Sequence, residues 1–165
     1  MKIRKETMTD RATIRQITEA AFAMEEHSSG TEGAIIDALR EAGSLTLSLV
    51  SEIDGQVVGH IAFSPVTVGG DDVGWYGLGP VAIQPNLQGQ GIGGELIRKG
   101  LSLLQDQGAR GCVVLGDPGY YTRFGFAHDA TLVFSGVPPE YFMSQTFCGN
   151  VPAGSVVYQP AFYEA

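Results

Sequence analysis

The stretch Leu78-Gly79-Pro80-Val81-Ala82-Ile83-Gln84-Pro85-Asn86-Leu87-Gln88-Gly89-Gln90-Gly91-Ile92-Gly93-Gly94 decides the fold. A Val- and Ile-rich strand ends near Ile83, and Pro85, which has no N–H to give a ladder, keeps it from continuing. A short loop follows, and four glycines between Gly89 and Gly94 open a helix. Glycine lacks the Cβ that would hold an anion away from the backbone. The first N–H groups of a helix have no intrahelical partner and carry the positive end of its dipole. A phosphate docks at such an end by accepting those N–H bonds. The plainer alternative is a glycine-rich turn that binds nothing.

Working outward from this turn, the spacing predicts a helix over Gly91–Gln107 with Leu96, Ile97, Leu101 and Leu104 as its buried stripe. Val113–Leu115 reads as a short, wholly apolar strand in a buried central position. Tyr120–Phe124 reads as a short helix, with later strands near Thr131–Phe134 and Ser155–Tyr158. Upstream, Asp54-Gly55 is a two-residue hairpin signal between strands Thr46–Ile53 and Gln56–Val68. Gly69-Gly70-Asp71-Asp72 makes the next turn, and Val73–Ile83 returns as the third strand. Lys2–Lys5 is a short first strand. Thr9 is the expected N-cap of a helix reaching Phe22, its apolar face Ala12, Ile14, Ile17, Ala20 and Ala21. Thr31 caps a second helix to about Glu41, with Ile35, Ile36 and Leu39 inward, and Gly43 stops it. The order β-α-α-β-β-β-α-β-α-β-β specifies an α/β chain with a mixed sheet, not a doubly wound parallel one.

Which phosphate the turn takes depends on its surroundings. Gly89, Gly91 and Gly94 also satisfy G-x-G-x-x-G, and Asp117 follows about twenty residues on, as a dinucleotide fold requires. Against it, the glycines trail the strand, the strands before them form an antiparallel hairpin, and the chain is short for two domains. No Lys-Ser or Lys-Thr follows the glycines, which excludes a Walker loop.

Gln88, Gly91 and Gly93 spell Q-x-x-G-x-G after a Val- and Ile-rich strand, and Tyr121-Thr122-Arg123-Phe124-Gly125-Phe126 spells Y-x-x-x-G-F. The pair, at this separation, resembles the acyl-CoA signature of the GNAT acetyltransferase superfamily. Leu115-Gly116-Asp117-Pro118-Gly119-Tyr120-Tyr121 is similar to one bacterial branch of small single-domain acetyltransferases. The resemblance covers most of the chain and fades after Pro138. It implies one acyl-CoA N-acyltransferase domain over residues 1–165, with Gly136–Ala165 unassigned. The implied sheet is mostly antiparallel, flanked by helices, with splayed central strands. Acetyl-CoA is the implied co-substrate. Val81, Ala82 and Ile83 would contact its pantetheine arm, with a bulge at Pro80. Gln88, Gly89, Gln90, Gly91, Ile92, Gly93 and Gly94 would meet its pyrophosphate. The implied reaction is direct acetyl transfer to an amine in a ternary complex.

On the same resemblance Tyr121 takes the place of the general acid, since a phenol is protonated at neutral pH. Packing against the carrier arm is its other reading, and neighbouring Tyr120 reads as structural. For the base, Glu32, Glu25 and Glu26 border the implied acceptor site, with Glu32 preferred. His60 acting through water and a water chain to bulk solvent are alternatives. His27 and His128 read as surface groups. Trp75 and Tyr76 read as core or as an aromatic wall of the cleft. Arg123 reads as a partner for a coenzyme phosphate or for a surface carboxylate.

The 165 residues carry 10 Lys and Arg against 18 Asp and Glu, a net charge of −8, with 44% hydrophobic and 17% charged. This excludes a disordered chain. It argues against binding nucleic acid or an anionic membrane, which need a basic surface. It suits a cationic acceptor, and equally serves solubility. No signal-peptide core and no run near ~18 apolar residues is present, so a cytoplasmic protein is expected. Cys112 and Cys148 are too few and too far apart for a disulfide framework or a zinc site, and no metal is expected. Cys112 reads as a small buried residue. The aromatics of the last thirty residues have three readings: closing the acceptor side, packing on the sheet edge, or making a homodimer contact. Two rival functions stand beside the transferase. One is a non-catalytic acyl-CoA-binding module on the same fold; the other is a nicotinamide-binding oxidoreductase.

Overall fold

The computed structural model describes residues 1–26 and 28–164; His27 lies outside them. The elements in chain order are β1 (Lys2–Lys5), α1 (Arg11–Phe22), α2 (Glu32–Glu41), β2 (Leu47–Ile53), β3 (Gln56–Val68) and β4 (Asp71–Ile83). Then come α3 (Ile92–Asp106), β5 (Gly111–Leu115), α4 (Pro118–Tyr121), β6 (Leu132–Val133), β7 (Phe142–Thr146), β8 (Gly154–Val157) and α5 (Ala161–Glu164). The sheet runs β1-β2-β3-β4-β5-β7, and β8 adds to the far end of β3 and to β6. Neighbours are antiparallel except β4–β5 and β6–β8. The expected mixed, mostly antiparallel sheet is therefore present.

Local chemistry explains the turns. Asp54 and Gly55 both take positive φ (52° and 78°), the conformation a two-residue hairpin needs. At the end of α2, Gly43 is left-handed, and the Ser44 N–H reaches back to the Leu39 carbonyl at 2.9 Å. The cap before α1 differs from expectation. Thr7, not Thr9, holds it: the Thr7 N–H donates to Asp10 Oδ2 at 2.6 Å, and a single 3₁₀ turn at Met8–Asp10 leads into α1. Asp10 is buried against Arg4, a partnership that spacing alone does not reveal.

Side-chain alternation splits the core between the two sheet faces. Leu47, Leu49, Ile61, Phe63 and Leu78 pack against Leu96, Ile97, Leu101 and Leu104 of α3. Gly100 lets α3 come close, because a Cβ there would lie 2.4 Å from the Phe63 ring. Val50 and Ala82 face the other way, against Ile14, Ile17 and Ala21 of α1 and Ile36 of α2. Two members of the expected α1 stripe, Ala12 and Ala20, are exposed. The buried polar position is Thr18, whose hydroxyl bonds the Ile14 carbonyl at 2.7 Å.

Trp75 is a core residue packed on Gly111, so the aromatic-wall reading does not hold for it. Leu115 is 42% exposed, not buried as the apolar run implied; it lies beyond the pairing of β5 with β4 and keeps only β7 beside it. Strand β7 and helix α5 were not anticipated. α5 packs on α2 through Ala161 and Phe162, so part of the C-terminal segment covers the α1–α2 face. Among the described residues no helix is long and apolar enough to cross a membrane.

Candidate active site

Strand β4 lies beside β5 only from Trp75 to Gly77, opposite Gly111–Val113. Beyond Gly77, Leu78–Ile83 continues along β3 alone, while Val114 and Leu115 continue along β7. The two central strands therefore part. The register with β3 slips in the same place: Ile61 faces Val81 but Phe63 faces Leu78, leaving Gly79 and Pro80 opposite Ala62. This is the bulge expected at Pro80. The Gln84 N–H donates to the Val58 carbonyl at 2.8 Å. Because backbone groups alternate along a strand, Ala82 also turns its groups to β3, and Val81 and Ile83 turn theirs toward the opening. The Gln88 side chain donates to the Ile83 carbonyl at 3.1 Å, tying the loop to the strand it leaves.

The loop delivers the chain to the glycine turn. Gly89 and Gly91 have φ of 80° and 87°, and nothing lies within 4 Å of a Cβ built on either. Gly91 caps α3 with no side-chain bond to the free amides of Ile92, Gly93 and Gly94. Ile92 is buried and anchors the helix end, whereas Gln90 is exposed. Tyr120 and Phe124 stand over this first turn. The Tyr120 hydroxyl is 3.2 Å from a Cβ built on Gly93, and Phe124 is 3.4 Å from one on Gly94. The Arg98 guanidinium lies 4.9 Å from the Phe124 ring centre and that of Arg123 lies 5.3 Å from Tyr120. Among the described residues the carboxylate partners are taken by Arg4, Arg15 and Arg40, and not by these two. The sequence reading missed Arg98; its signal was a cation one helical turn after Gly94.

Tyr121 ends α4, whose N-cap Asp117 accepts the Gly119 N–H at 2.9 Å. Its ring occupies the space where Gly116 has no side chain; a Cβ there would lie 2.4 Å from Cε2 of the ring. It also meets Phe126 and Tyr120 edge-on. Burial, with Tyr120 adding to it, pushes the Tyr121 phenol up to about 12. The hydroxyl is thus protonated across the physiological range. Cys112 is fully buried and burial pushes its thiol up, so it is an inert packing residue, while Cys148 is exposed.

On the other sheet face, Ile17, Ala21 and Phe22 of α1 pack on Ala82. Beside them a cavity of about 270 Å³ is lined by Glu19, Phe22, Ala23, Gly30, Glu32 and Gly33. Glu32 heads α2 and accepts the Ser28 hydroxyl at 2.7 Å. Glu25 and Glu26 are exposed on the connection between the helices. Tyr121 belongs to the α3 side of the sheet and Glu32 to the α1–α2 side, with the β4–β5 opening between those faces.

His60 is fully buried opposite Ala82, its Nε2 2.7 Å from Ser48 Oγ. Ser48 gives its own proton to Glu6, which Arg40 holds at 2.9 and 3.0 Å. His60 therefore donates from Nε2, and its Nδ1 has no partner. Burial lowers His60 to about 4, opposed by Glu6 and aided by Arg40. The folded chain then binds fewer protons than the unfolded one between pH 6.5 and 4. Stability is complete above pH 6.5 and falls below it, by about 1.4 kcal/mol per unit and about 3 kcal/mol in all. Glu6 and Asp10, both held low, lose their contributions only further into acid. Urea unfolding of the wild type should weaken from pH 6.5 to 5, and H60Q should be nearly flat there. Equal slopes would refute the assignment.

Comparison with known proteins agrees with this geometry. Residues 11–126 match the model of the Acetyltransferase (GNAT) family. Over 127 residues the chain is 42% identical to "Uncharacterized N-acetyltransferase YhbS" of Escherichia coli strain K12, spanning 76% of this chain and 73% of that protein. Among solved structures, a GNAT family acetyltransferase from Brucella melitensis in complex with acetyl-CoA is 56% identical, with a TM-score of 0.88 over 98% of this chain and 97% of that one. The Escherichia coli YhbS structure in complex with CoA is 36% identical, with a TM-score of 0.90 over 99% and 92%. With its parted central strands and glycine-capped helix, the chain belongs to the GNAT acetyltransferase family.

Proposed function

We propose that this chain is an acetyl-CoA-dependent N-acetyltransferase in which residues 1–165 form one catalytic domain and a primary amine attacks the thioester directly, both substrates held together. The observation that carries the reading is the edge of β4 at Val81 and Ile83, unpaired by β5 and followed through a short loop by the left-handed glycine turn that caps α3. An extended arm and a diphosphate are what such an edge and such a turn accept. The acetyl-CoA and CoA complexes of the Brucella melitensis and Escherichia coli relatives support it.

On this reading Val81 offers its outward N–H and carbonyl and Ile83 its N–H to the pantetheine arm, and Ala82 between them keeps the strand against α1. The amides of Gly89, Gln90, Gly91, Ile92, Gly93 and Gly94 take the diphosphate. Gln88 contributes by holding the loop on Ile83. Acetyl-CoA supplies the activated acyl group. Tyr121 gives its proton to the departing thiolate. Glu32 takes up the proton of the amine, and with Glu19 and Phe22 it forms a cavity suited to a cationic acceptor. The reading places the enzyme in the cytoplasm.

The test is calorimetric titration with acetyl-CoA, followed by thiol release across polyamines, aminoglycosides, amino acids and peptides. Binding together with amine-dependent release is the expected result. Tight binding with no active amine favours a non-catalytic module. Stabilisation by NAD and not by CoA in a thermal-shift comparison would overturn both.

A further inference from the structure

Resting on that reading, the structure assigns an acyl-length role to Tyr158, far beyond the matched residues 11–126. We propose that its ring closes the inner end of the β4–β5 opening and restricts the enzyme to short acyl thioesters.

Three observations meet at one place. Gly77 and Val113 are the last paired residues before β4 and β5 part, so Gly77 marks the inner end of the opening. The Tyr158 ring fills the space that a side chain at Gly77 would need: a Cβ there would lie 2.5 Å from Tyr158 Cε1 and 2.9 Å from Cδ1. The Tyr158 hydroxyl is shut off from solvent and finds no hydrogen-bond partner. Burial pushes this phenol up, with Cys112, Tyr163 and Tyr121 adding to it.

The ring is held firmly. The Gln159 side chain donates to the Pro65 carbonyl of β3 at 3.0 Å and accepts from Ser44 at 3.1 Å. The Tyr163 hydroxyl accepts the Tyr158 N–H at 3.1 Å. Phe134 and Phe162 pack against the ring at centroid distances of 5.4 and 5.2 Å. A wall fixed on two sides cannot swing away to admit a longer chain without breaking those bonds. An unpaired buried hydroxyl is unfavourable, and a polar ligand atom arriving there removes that penalty. A thioester carbonyl is the one polar atom that a short acyl group brings.

The test compares affinities of CoA, acetyl-CoA, butyryl-CoA and hexanoyl-CoA by calorimetry on wild type, Y158F and Y158A, with kcat/KM as a second readout. Wild type should prefer acetyl-CoA to hexanoyl-CoA. Y158A should shift that preference toward hexanoyl-CoA by on the order of tenfold or more, because the added methylenes find apolar space where the ring stood. Y158F should keep the wild-type length profile, because the ring remains. Circular dichroism checks that Y158A is folded; Y158L, with a smaller but still apolar side chain, replaces it if it is not. A folded Y158A or Y158L with the wild-type length profile would overturn the role. Failure of the wild type to bind any of the four would instead strike at the transferase reading.

Discussion

Tyr121→Phe should lower kcat for acetyl transfer by on the order of 10²–10⁴-fold, the usual worth of a positioned general acid, while leaving CoA affinity nearly unchanged. The geometry makes this substitution clean. The ring is held by Gly116, Phe126 and Tyr120 through its faces and edges, and Phe keeps every one of those contacts. Only the proton is lost. That proton stays in place to about pH 12, so kcat should show no falling limb from Tyr121 in the accessible range. Rapid-quench or thiol-release kinetics across pH, with Kd from calorimetry, measure both. Tyr120→Phe is the contrast: its hydroxyl stands over Gly93, so the change should touch carrier affinity and spare the chemical step. Full turnover in Tyr121→Phe would remove the acid from the scheme.

Gly91→Val should weaken acetyl-CoA binding by on the order of tenfold or more, with the fold intact. The residue caps α3 at φ 87°, where a β-branched side chain costs on the order of 1–3 kcal/mol. The chain has two ways to respond. Relaxing the backbone turns the amides of Ile92 and Gly93 out of line; keeping it places an isopropyl group in the open space in front of them. Either way the anion loses donors, and each 1.4 kcal/mol is tenfold. The cost falls at an exposed residue while buried Ile92 still anchors the helix end, so circular dichroism should match wild type. Unchanged affinity would mean that the carrier's diphosphate lies elsewhere.

Much of the architecture was legible in residue pattern because it rests on short-range chemistry. Asp54-Gly55 demands a hairpin, Gly43 ends a helix, Leu96, Ile97, Leu101 and Leu104 define a stripe, and Gly89–Gly94 announces a helix mouth. Strand β7 was illegible. Phe142–Thr146 carries Ser, Gln and Thr at an edge, and it becomes a strand only because β5 offers it a free ladder. Arg98 was missed since an exposed cation looks alike wherever it lies, until Phe124 is found beneath it.

What the sequence determined by itself is the glycine turn that opens α3: its cause lies within consecutive residues, glycines that allow left-handed φ and a helix whose first amides are bare. The tertiary structure alone decided three further things: where β4 leaves β5, that Glu32 and Tyr121 stand on opposite sheet faces, and that Tyr158 meets Gly77 across more than eighty residues of chain. Those depend on pairing and packing between distant segments, and no local preference of the residues involved encodes the distance between them.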